Sequence, residues 1–288
     1  MDFLFSYLVL ALIYVLVGLS TNLLVGIVGI FSISQAAVFG VGAYIFANLT
    51  MAATSMPFIL ALAIAGGACV LLNIVVSLPS LRVSGDYFVV TSFGIQLVAS
   101  AVFVNWVSGT GGANGLPGIP APEFFGFALD TPPRYVVVAG LATGLGCLAF
   151  WLMMRSPFGR LLRAIREDEI AIAAVGKQVL GAKVAAAALA GGFGGVAGGI
   201  FAAFMSFIDP YSFDLDASIL LLSMVVIGGT RTLAGSIVGP FVMLALPQIL
   251  TMIDIPSTMA APARQFAYGV LLIVFMLYRP QGLVGERL

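Results

Sequence analysis

The sequence predicts an all-α, polytopic membrane protein with about nine transmembrane helices, within a range of eight to ten, and one amphipathic helix in the cytoplasm. Three observations lead to this prediction. Hydrophobic residues make up 61% of the chain and charged residues only 8%, whereas soluble domains carry about 25% charged residues. Apolar runs of membrane-spanning length recur along the whole chain. Finally, seven of the charged residues fall within the single stretch 156–179.

The individual spans follow from the length needed to cross the hydrocarbon core, which is about 20 apolar residues in a helix. The predicted spans are 3–27, 34–53, 57–78, 87–107, 134–154, 183–206, 216–230, 236–253 and 264–278, all within one domain, 1–288. Pro57, Pro133 and Pro262 lie at or just before predicted helix starts, where a missing N–H costs nothing. The stretch GIVGIFS (26–32) interrupts the chain after the first span. Such a break is tolerated where the backbone lines a cavity or is covered by protein.

The orientation follows from Lys and Arg, because cytoplasmic loops carry an excess of positive charge. With residues 155–183 placed in the cytoplasm, alternation of the spans leaves only Arg134 and Arg264 on the outer side. The cytoplasmic side then holds Arg82, Arg155, Arg160, Arg163, Arg166, Lys177, Lys183, Arg231, Arg279 and Arg287. The C-terminus is accordingly predicted to be cytoplasmic.

The charged segment 156–177 is predicted to form one amphipathic helix of about 18 residues, because apolar residues recur at three- and four-residue spacing. Ser156 and Pro157 are typical of a helix start, and Gly176 is typical of a helix end. Two interpretations stay open from the residues alone. The helix lies on anionic lipid, or it docks onto a cytoplasmic protein. Three consecutive acidic residues, 167–169, favour the protein partner because anionic headgroups would repel them.

This segment also carries a family resemblance. GRLLRAIREDEIAIAAVG (159–176) is similar to the cytoplasmic coupling loop of ABC-importer permeases of the branched-chain amino acid family, the LivM type. Further blocks resemble the same family in the same order: GLSTNLLVGIVGIFSISQAAVFGVGAY (18–44), LRVSGDYFVVTSFG (81–94), GTGGANGLPGIP (109–120) and VVIGGTRTLAGSIVGP (225–240). The residues that the resemblance assigns to the contact with an ATPase subunit are Arg160, Arg163, Arg166, Glu167 and Gly176. One departure is that the alanine-rich half lacks a glutamate that the family usually has there.

The resemblance also implies an assembly, a location and a cargo. It implies a second, related permease subunit, two cytoplasmic ATPase subunits that bind the ATP, and an external substrate-binding protein. The implied location is the bacterial inner membrane. The implied cargo is a branched-chain amino acid, and urea or a short amide is the alternative. The chain itself is expected to be no enzyme and to bind no cofactor.

Residue types argue against several other functions. Without histidine, and with Cys69 and Cys147 as the only cysteines, zinc sites and Cys–His catalysis are excluded. Gly176-Lys177 is not part of a phosphate-binding loop, since Ala171 and Gln178 stand where glycine and Ser or Thr are required. The near absence of charged residues inside the spans disfavours an ion-coupled secondary transporter. No ring of charges or filter-like sequence supports a channel.

Ser32, Ser34 and Gln35 are the candidates for the translocation path, because they would lead a half-helix whose N-terminus favours a carboxylate. The alternative is that they bond neighbouring helices. The Gly- and Pro-rich segment 108–133 is predicted to be an external loop, which receives a substrate-delivery protein, caps the outer mouth or simply connects two spans.

Glycine patterns predict where helices pack closely. Glycines four residues apart form a ridge of small residues that lets two helices approach one another. The pairs and triplets with this spacing are Gly191, Gly195 and Gly199; Gly194 and Gly198; Gly140 and Gly144; and Gly235 and Gly239. All are interpreted as packing surfaces rather than as parts of the path.

Overall fold

The structure is a computed structural model that describes residues 2–52, 56–80, 86–121, 123–124, 127–128, 131–251, 257–278 and 282–285. Within these ranges the chain is mainly helical, as predicted. The helices are α1 (Asp2–Thr21), α2 (Gln35–Ala52), α3 (Phe58–Ser80), α4 (Asp86–Asn105), α5 (Val107–Thr110), α6 (Pro132–Arg155), α7 (Pro157–Glu167), α8 (Glu169–Ala174), α9 (Val179–Met205), α10 (Leu215–Gly228), α11 (Leu233–Thr251) and α12 (Ser257–Tyr278). Asp130, Arg82, Arg279 and Arg287 lie outside the described residues.

Six stretches of the described chain are helical, long and apolar enough to cross a membrane. They are Phe3–Val28, Gln35–Ala52, Phe58–Leu78, Tyr87–Asn105, Pro132–Arg155 and Val179–Met205. These match the first six predicted spans to within about four residues, and the polytopic all-α class is confirmed. Shorter apolar stretches occupy α10, α11 and α12. The total of about nine crossings stays a prediction.

The start of α12 differs from the prediction. This helix begins at Ser257, so Pro262 lies in its second turn rather than at its start. The residues from Met259 to Ala261 are strong helix formers, which explains the earlier start. A proline this close to the N-terminus removes one intrahelical hydrogen bond and leaves the rest of the helix intact.

The first span does not end as an ordinary α-helix. After α1 the chain continues as a π-helix, Asn22–Val28, and all seven of its residues are buried. Gly29 ends it in the left-handed region (φ +80°), and the N–H of Gly29 donates to the carbonyl of Leu24. The predicted glycine-rich interruption is therefore present, but it consists of the π-helix followed by residues without regular secondary structure that lead to α2.

Helix α9 is the central helix of the bundle and packs against α1, α2 and α3. Its glycine ridges allow this approach. A β-carbon added at Gly195 would lie 2.6 Å from Cys69 Cβ of α3, and one added at Gly198 would lie 2.7 Å from Ala43 N of α2. Both distances are shorter than any ordinary van der Waals contact. The predicted packing role of these glycines is confirmed.

The other two glycine pairs behave differently from one another. Gly235 and Gly239 of α11 lie directly against the backbone of α10 and the turn that follows it, as predicted. The structure shows no such packing for α6: among the described residues, no atom lies within 4 Å of a β-carbon added at Gly144, and only Leu12 reaches 4.0 Å at Gly140. Spacing alone reveals a smooth helix face but not whether another helix of the same chain covers it.

The loops gather at two ends of the bundle. At one end, called here the inner end, α7 packs against the π-helix. At the other end, called here the outer end, strand β1 (Leu116–Pro117) pairs with β4 (Phe207–Ile208), and β2 (Glu123–Phe124) pairs with β3 (Phe127–Ala128). Asn48 Nδ2 of α2 also donates to Gly109 O of the same end at 2.7 Å. Among the described contacts, residues near 29 and 166 therefore lie together at the inner end, and residues near 48, 116 and 207 lie at the outer end.

Candidate functional site

The charged segment begins directly after α6, with the predicted helix start. Ser156 has an extended backbone, and its Oγ accepts a hydrogen bond from the N–H of Gly159 at 3.3 Å. Pro157 occupies the first helical position. Helix α7 turns Leu162 and Ile165 into the protein, where both are buried, while Arg160 and Arg163 are exposed. The amphipathic pattern thus holds over these 11 residues.

The predicted single helix over 156–177 is wrong, because the chain breaks at Asp168. This residue has an extended backbone (φ −152°, ψ 101°), and its Oδ1 accepts a hydrogen bond from the N–H of Ala171 at 2.9 Å. Aspartate is a strong helix N-cap, since its carboxylate satisfies an N–H that has no partner in the first helical turn. A new helix, α8, therefore begins at Glu169. A local cap overrides the apolar periodicity here.

Gly176 ends α8 as predicted. It adopts the left-handed region (φ +80°), and its N–H donates to Ala173 O at 2.9 Å. The N–H of the next residue, Lys177, donates to Ile172 O at 3.3 Å. These two bonds form a Schellman motif, which closes a helix and fixes the direction of the chain beyond it.

Helix α8 stands out from the bundle. It has no buried residue, and two apolar side chains are widely exposed, Ile170 at 83% and Val175 at 75%. Lys183 Nζ of α9 lies 2.6 Å from Glu169 Oε2 and ties the start of α8 to the bundle. The result is a short helix with defined ends whose apolar side chains lie on the surface among charged residues.

Arg160 and Arg163 fold back onto the end of α6. Arg160 Nη1 donates to Arg155 O at 3.3 Å, and Arg163 Nη2 donates to Met154 O at 3.1 Å. The last carbonyls of a helix lack intrahelical partners and carry the negative end of its dipole, so cations stabilise them. Both side chains remain exposed. They hold the corner between α6 and α7 and leave further N–H groups for other partners.

Arg166 and Glu167 connect the charged segment to the interior. The side chain of Arg166 packs on Gly29 at the end of the π-helix, where an added β-carbon would lie 2.8 Å from Arg166 Cγ. Arg166 Nη1 is buried and has no hydrogen-bond partner among the described residues. Burial, and then the charge of Arg231, lower the pKa of the Arg166 guanidinium. Glu167 Oε1 lies 3.0 Å from Arg231 Nη2 in the turn between α10 and α11.

Asn22 holds that turn against the π-helix. Its side chain is fully buried; its Oδ1 accepts from the N–H of Arg231 at 3.1 Å, and its Nδ2 donates to Thr232 O at 2.9 Å and to Ser236 Oγ at 2.6 Å. Arg231 has a positive φ (+72°), which costs a non-glycine residue about 1–2 kcal/mol. The bond from Asn22 helps to keep it there. We call Asn22, Gly29, Arg166, Glu167 and Arg231 the inner-end cluster.

The residues near the C-terminus join this cluster. Leu283 N donates to Ile227 O at 2.8 Å, and Val284 N donates to Gly228 O at 3.0 Å. Thr232 Oγ1 donates to Val284 O at 2.9 Å. The charged segment, the π-helix, the 229–232 turn and residues 282–285 thus form one connected structure. The sequence analysis did not identify Asn22 or Arg231 as site residues. The available signals were an amide inside an apolar span and a Gly-Gly-Thr-Arg turn.

The path candidates Ser32 and Ser34 lie side by side, with their Oγ atoms 3.1 Å apart. With Asn73 and Ser92 they line a small polar cavity that has room for about one water molecule. Both serines are buried. The structure therefore places them in a closed interior position.

Gln35 is turned differently from the serines. Its Oε1 accepts from Ser20 Oγ at 2.8 Å, and its Nε2 is buried without a partner among the described residues. The helix that it starts, α2, has 18 residues and is long enough to cross a membrane, so it is not the predicted half-helix. A nearby N–H that would attract a carboxylate, that of Ala37, is already bonded to Gln96 Oε1 at 3.0 Å.

Gln96 of α4 is a further buried polar residue, which the sequence did not single out as a site residue. Besides accepting from Ala37, its Oε1 accepts from Ser218 Oγ at 3.1 Å, and its Nε2 donates to Phe213 O at 2.8 Å. One amide therefore joins α2, α4 and α10. A glutamine within an apolar span was the only signal in the sequence, and its three partners could not be read from spacing.

A larger cavity of about 640 Å³ opens on the outer half of the bundle. Its walls come from α1, α9, α10, α11 and α12 and are mainly apolar, with Asp216 and Ser212 among the polar residues. Small-molecule sites in proteins usually have volumes of about 300–1,000 Å³ and mostly apolar walls with a few polar groups. The cavity has the size and character of such a site.

Helices of membrane-crossing length, an exposed helical segment joined to the bundle interior and paired strands at the opposite end are typical of a multi-pass membrane protein. The chain belongs to the family described as branched-chain amino acid transport system, permease component, whose profile matches residues 3–278.

Comparisons with individual proteins agree with this family. The high-affinity branched-chain amino acid transport system permease protein LivM of Escherichia coli (strain K12) is 29% identical over 298 residues, covering 96% of this chain and 68% of the relative. LivM of Salmonella typhimurium is 28% identical over the same shares. The autoinducer 2 import system permease protein LsrC of Klebsiella pneumoniae is 26% identical over 177 residues, 59% of this chain and 49% of the relative. No solved structure gave a significant match.

Proposed function

We propose that the protein is the membrane-spanning permease subunit of an ATP-driven ABC importer for branched-chain amino acids, working by alternating access. The single observation that carries this proposal is the direct contact between the exposed charged segment and the chain that leads to the polar cavity. Arg166 packs on Gly29, three residues before Ser32. Family membership and the LivM relatives support the transport class and the cargo.

The charged segment is the docking site for the ATPase subunit. The exposed apolar residues Ile170 on α8 and Val175 directly after it suit a groove on a partner, as in other helix-in-groove contacts. The residues proposed to make or shape the contact are Arg160, Arg163, Arg166, Glu167 and Gly176. In this role the Schellman turn at Gly176 sets the direction of α8, and the arginines supply hydrogen bonds at the α6–α7 corner. ATP is bound and hydrolysed by the partner, not by this chain.

Movement of the docked segment reaches the path through the inner-end cluster. A shift of α7 moves Arg166 against Gly29 and pulls Arg231 through Glu167. Because Asn22 bonds the Arg231 turn, the π-helix and the α10–α11 turn move together. Ser32, Ser34 and Gln35 follow the π-helix directly, and they form the part of the path that is closed in this conformation.

The remaining parts of the importer follow from this assignment. The inner end faces the cytoplasm of a bacterium, together with the C-terminus, and the outer segment 108–133 receives a substrate-binding protein. A second, related permease subunit completes the path, and two ATPase subunits bind the two permeases. Urea or a short amide is the alternative cargo. The autoinducer 2 permease among the relatives supports the view that this fold serves more than one solute.

The test is co-purification with the ATPase subunit. We expect the native chain to retain the ATPase, and a chain with Arg160, Arg163 and Arg166 changed to glutamate to lose it. Arg134→Glu is the matched control, because it reverses one arginine at the opposite end of α6 and should leave ATPase binding unchanged. Retention of the ATPase by the reversed segment would contradict the docking assignment.

A further inference from the structure

We propose that the inner end also carries a binding pocket for an anionic phospholipid, whose phosphate lies between Arg155, Arg163 and Arg231. These arginines line one cavity of about 450 Å³ between the end of α6, the start of α7 and the turn before α11. The proposal concerns the permease alone and does not depend on its cargo or its ATPase. Only one part of it depends on the proposed orientation of the permease, namely that the lipid comes from the cytoplasmic leaflet.

The charges around the cavity require an anion. Three arginines line it, and neither aspartate nor glutamate is among the described residues that line it. Glu167 pairs with Arg231 Nη2 at 3.0 Å, but its side chain is 67% exposed, so it offsets only part of the positive charge. The side chain of Arg163 uses one donor on Met154 O and keeps others free for a phosphate oxygen. Guanidinium groups match phosphate oxygens with paired N–H donors.

The apolar part of the cavity favours a lipid over a free anion. Phe150, Trp151 and Leu233 form part of its lining, and Arg155 stacks on the Trp151 ring, with its guanidinium carbon 3.9 Å from the centroid. A tryptophan beside arginines at the end of a crossing helix is typical of the headgroup level of a membrane. Basic pockets between helices at the cytoplasmic side bind the headgroups of anionic lipids.

The surface next to the cavity continues this pattern along α6. Leu148 and Leu152 are about half exposed, at 50% and 53%, and lie within the two turns that precede Arg155. A phospholipid would place its phosphate among the arginines and an acyl chain against these leucines. A carboxylate from the ATPase would use the charges but not this apolar surface. The combination of charge and apolar wall therefore favours phospholipid.

A bound lipid would have a structural effect at the docking site. Its phosphate would bridge α6 through Arg155, α7 through Arg163 and the 229–232 turn through Arg231. Three elements that move in the proposed mechanism would then share one anion. We expect anionic lipid to stabilise the inner end and to raise the melting temperature of the purified permease.

The experiment uses the delipidated full chain in detergent, titrated separately with phosphatidylglycerol, phosphatidylcholine and inorganic phosphate. Native mass spectrometry counts the bound lipids, and thermal unfolding reports stabilisation. We expect one retained phosphatidylglycerol and a raised Tm, with no comparable effect of the other two. Arg155→Gln combined with Arg231→Gln should weaken phosphatidylglycerol binding about tenfold or more. Lys177→Gln, which removes one charge outside the pocket, should not.

Three results would overturn the proposal. Equal stabilisation by phosphatidylcholine would show that the charges are not used. Equal stabilisation by inorganic phosphate would assign the cavity to a free anion. If the double variant kept its phosphatidylglycerol but lost the ATPase, the arginines would belong to the protein contact instead. The lipid titration uses the native chain, so it tests the lipid specificity of the cavity even if the double variant does not fold. It also needs no ATPase, so its outcome is separate from that of the importer proposal.

Discussion

Replacing Asn22 with alanine tests whether the inner-end cluster holds the two halves of the site together. The Asn22 side chain is fully buried and makes three hydrogen bonds, to Arg231 N, Thr232 O and Ser236 Oγ. Alanine removes all three bonds and leaves these groups facing a small void. The left-handed backbone of Arg231 then loses the bond from the π-helix that helps to hold it.

The magnitude follows from the number of bonds and their setting. Side-chain hydrogen bonds inside membrane proteins contribute about 0.6 kcal/mol on average and about 1.7 kcal/mol at most. Three of them therefore give a loss of about 2–5 kcal/mol in the free energy of unfolding. Relaxation of Arg231 toward an ordinary backbone would return about 1–2 kcal/mol and would place the loss in the lower half of this range.

The assay is thermal unfolding of the purified permease in detergent, combined with ATPase activity of the assembled importer. We expect Asn22→Ala to lower Tm and to weaken the link between ATP hydrolysis and transport. Asn48→Ala is the matched control, since Asn48 likewise bonds through its side-chain amide, with two hydrogen bonds, but lies exposed at the outer end. A variant at Asn22 as stable and as well coupled as the Asn48 variant would refute the reasoning.

Three further predictions concern the other contacts described above. Glu167→Arg should reduce ATP-driven uptake by repelling Arg231, and adding Arg231→Glu should restore most of it; failure of the double exchange would mean that the pair does not transmit motion. Gly198→Ala should destabilise the fold by about 1–3 kcal/mol through overlap with α2, whereas Gly144→Ala should be neutral or stabilising by up to about 1 kcal/mol, both measured by thermal unfolding. Gln96→Leu should lower Tm because Ala37 N–H and Phe213 O lose their partner, and an unchanged Tm would show that water replaces the amide.

The helices were predictable because lipid leaves the chain few alternatives. Every backbone N–H and C=O must be bonded within the protein, so a long apolar run becomes a helix whatever its neighbours are. This is why the run 183–206 appears as part of α9. Within that helix Gly198 packs closely on α2, as its spacing predicts. Gly144 has the same spacing, yet it faces open space within this chain. Which helix covers a smooth face depends on the tertiary arrangement of the bundle. The spacing of glycines along the sequence does not predict that arrangement.

The site was predictable only in part. The corner at Ser156 and the end at Gly176 followed from capping chemistry, which acts over a few residues. Asp168 is also a cap, but the apolar period on both sides concealed it. The contact between Asn22 and Arg231 joins residues 209 positions apart, and no local pattern could indicate it. The π-helix at 22–28 likewise depends on the partners that surround it, because apart from Asn22 and Gly26 its residues are ordinary apolar residues of a spanning helix.

The most direct test of the central claim is uptake of radiolabelled leucine by proteoliposomes that contain this chain, the second permease and the ATPase subunits. The account predicts uptake that requires ATP and the external binding protein, and that stops when Arg160, Arg163 and Arg166 are changed to glutamate. It also predicts no uptake when an ion gradient replaces ATP. Leucine uptake that is driven by a sodium or proton gradient through the permease alone would contradict the account.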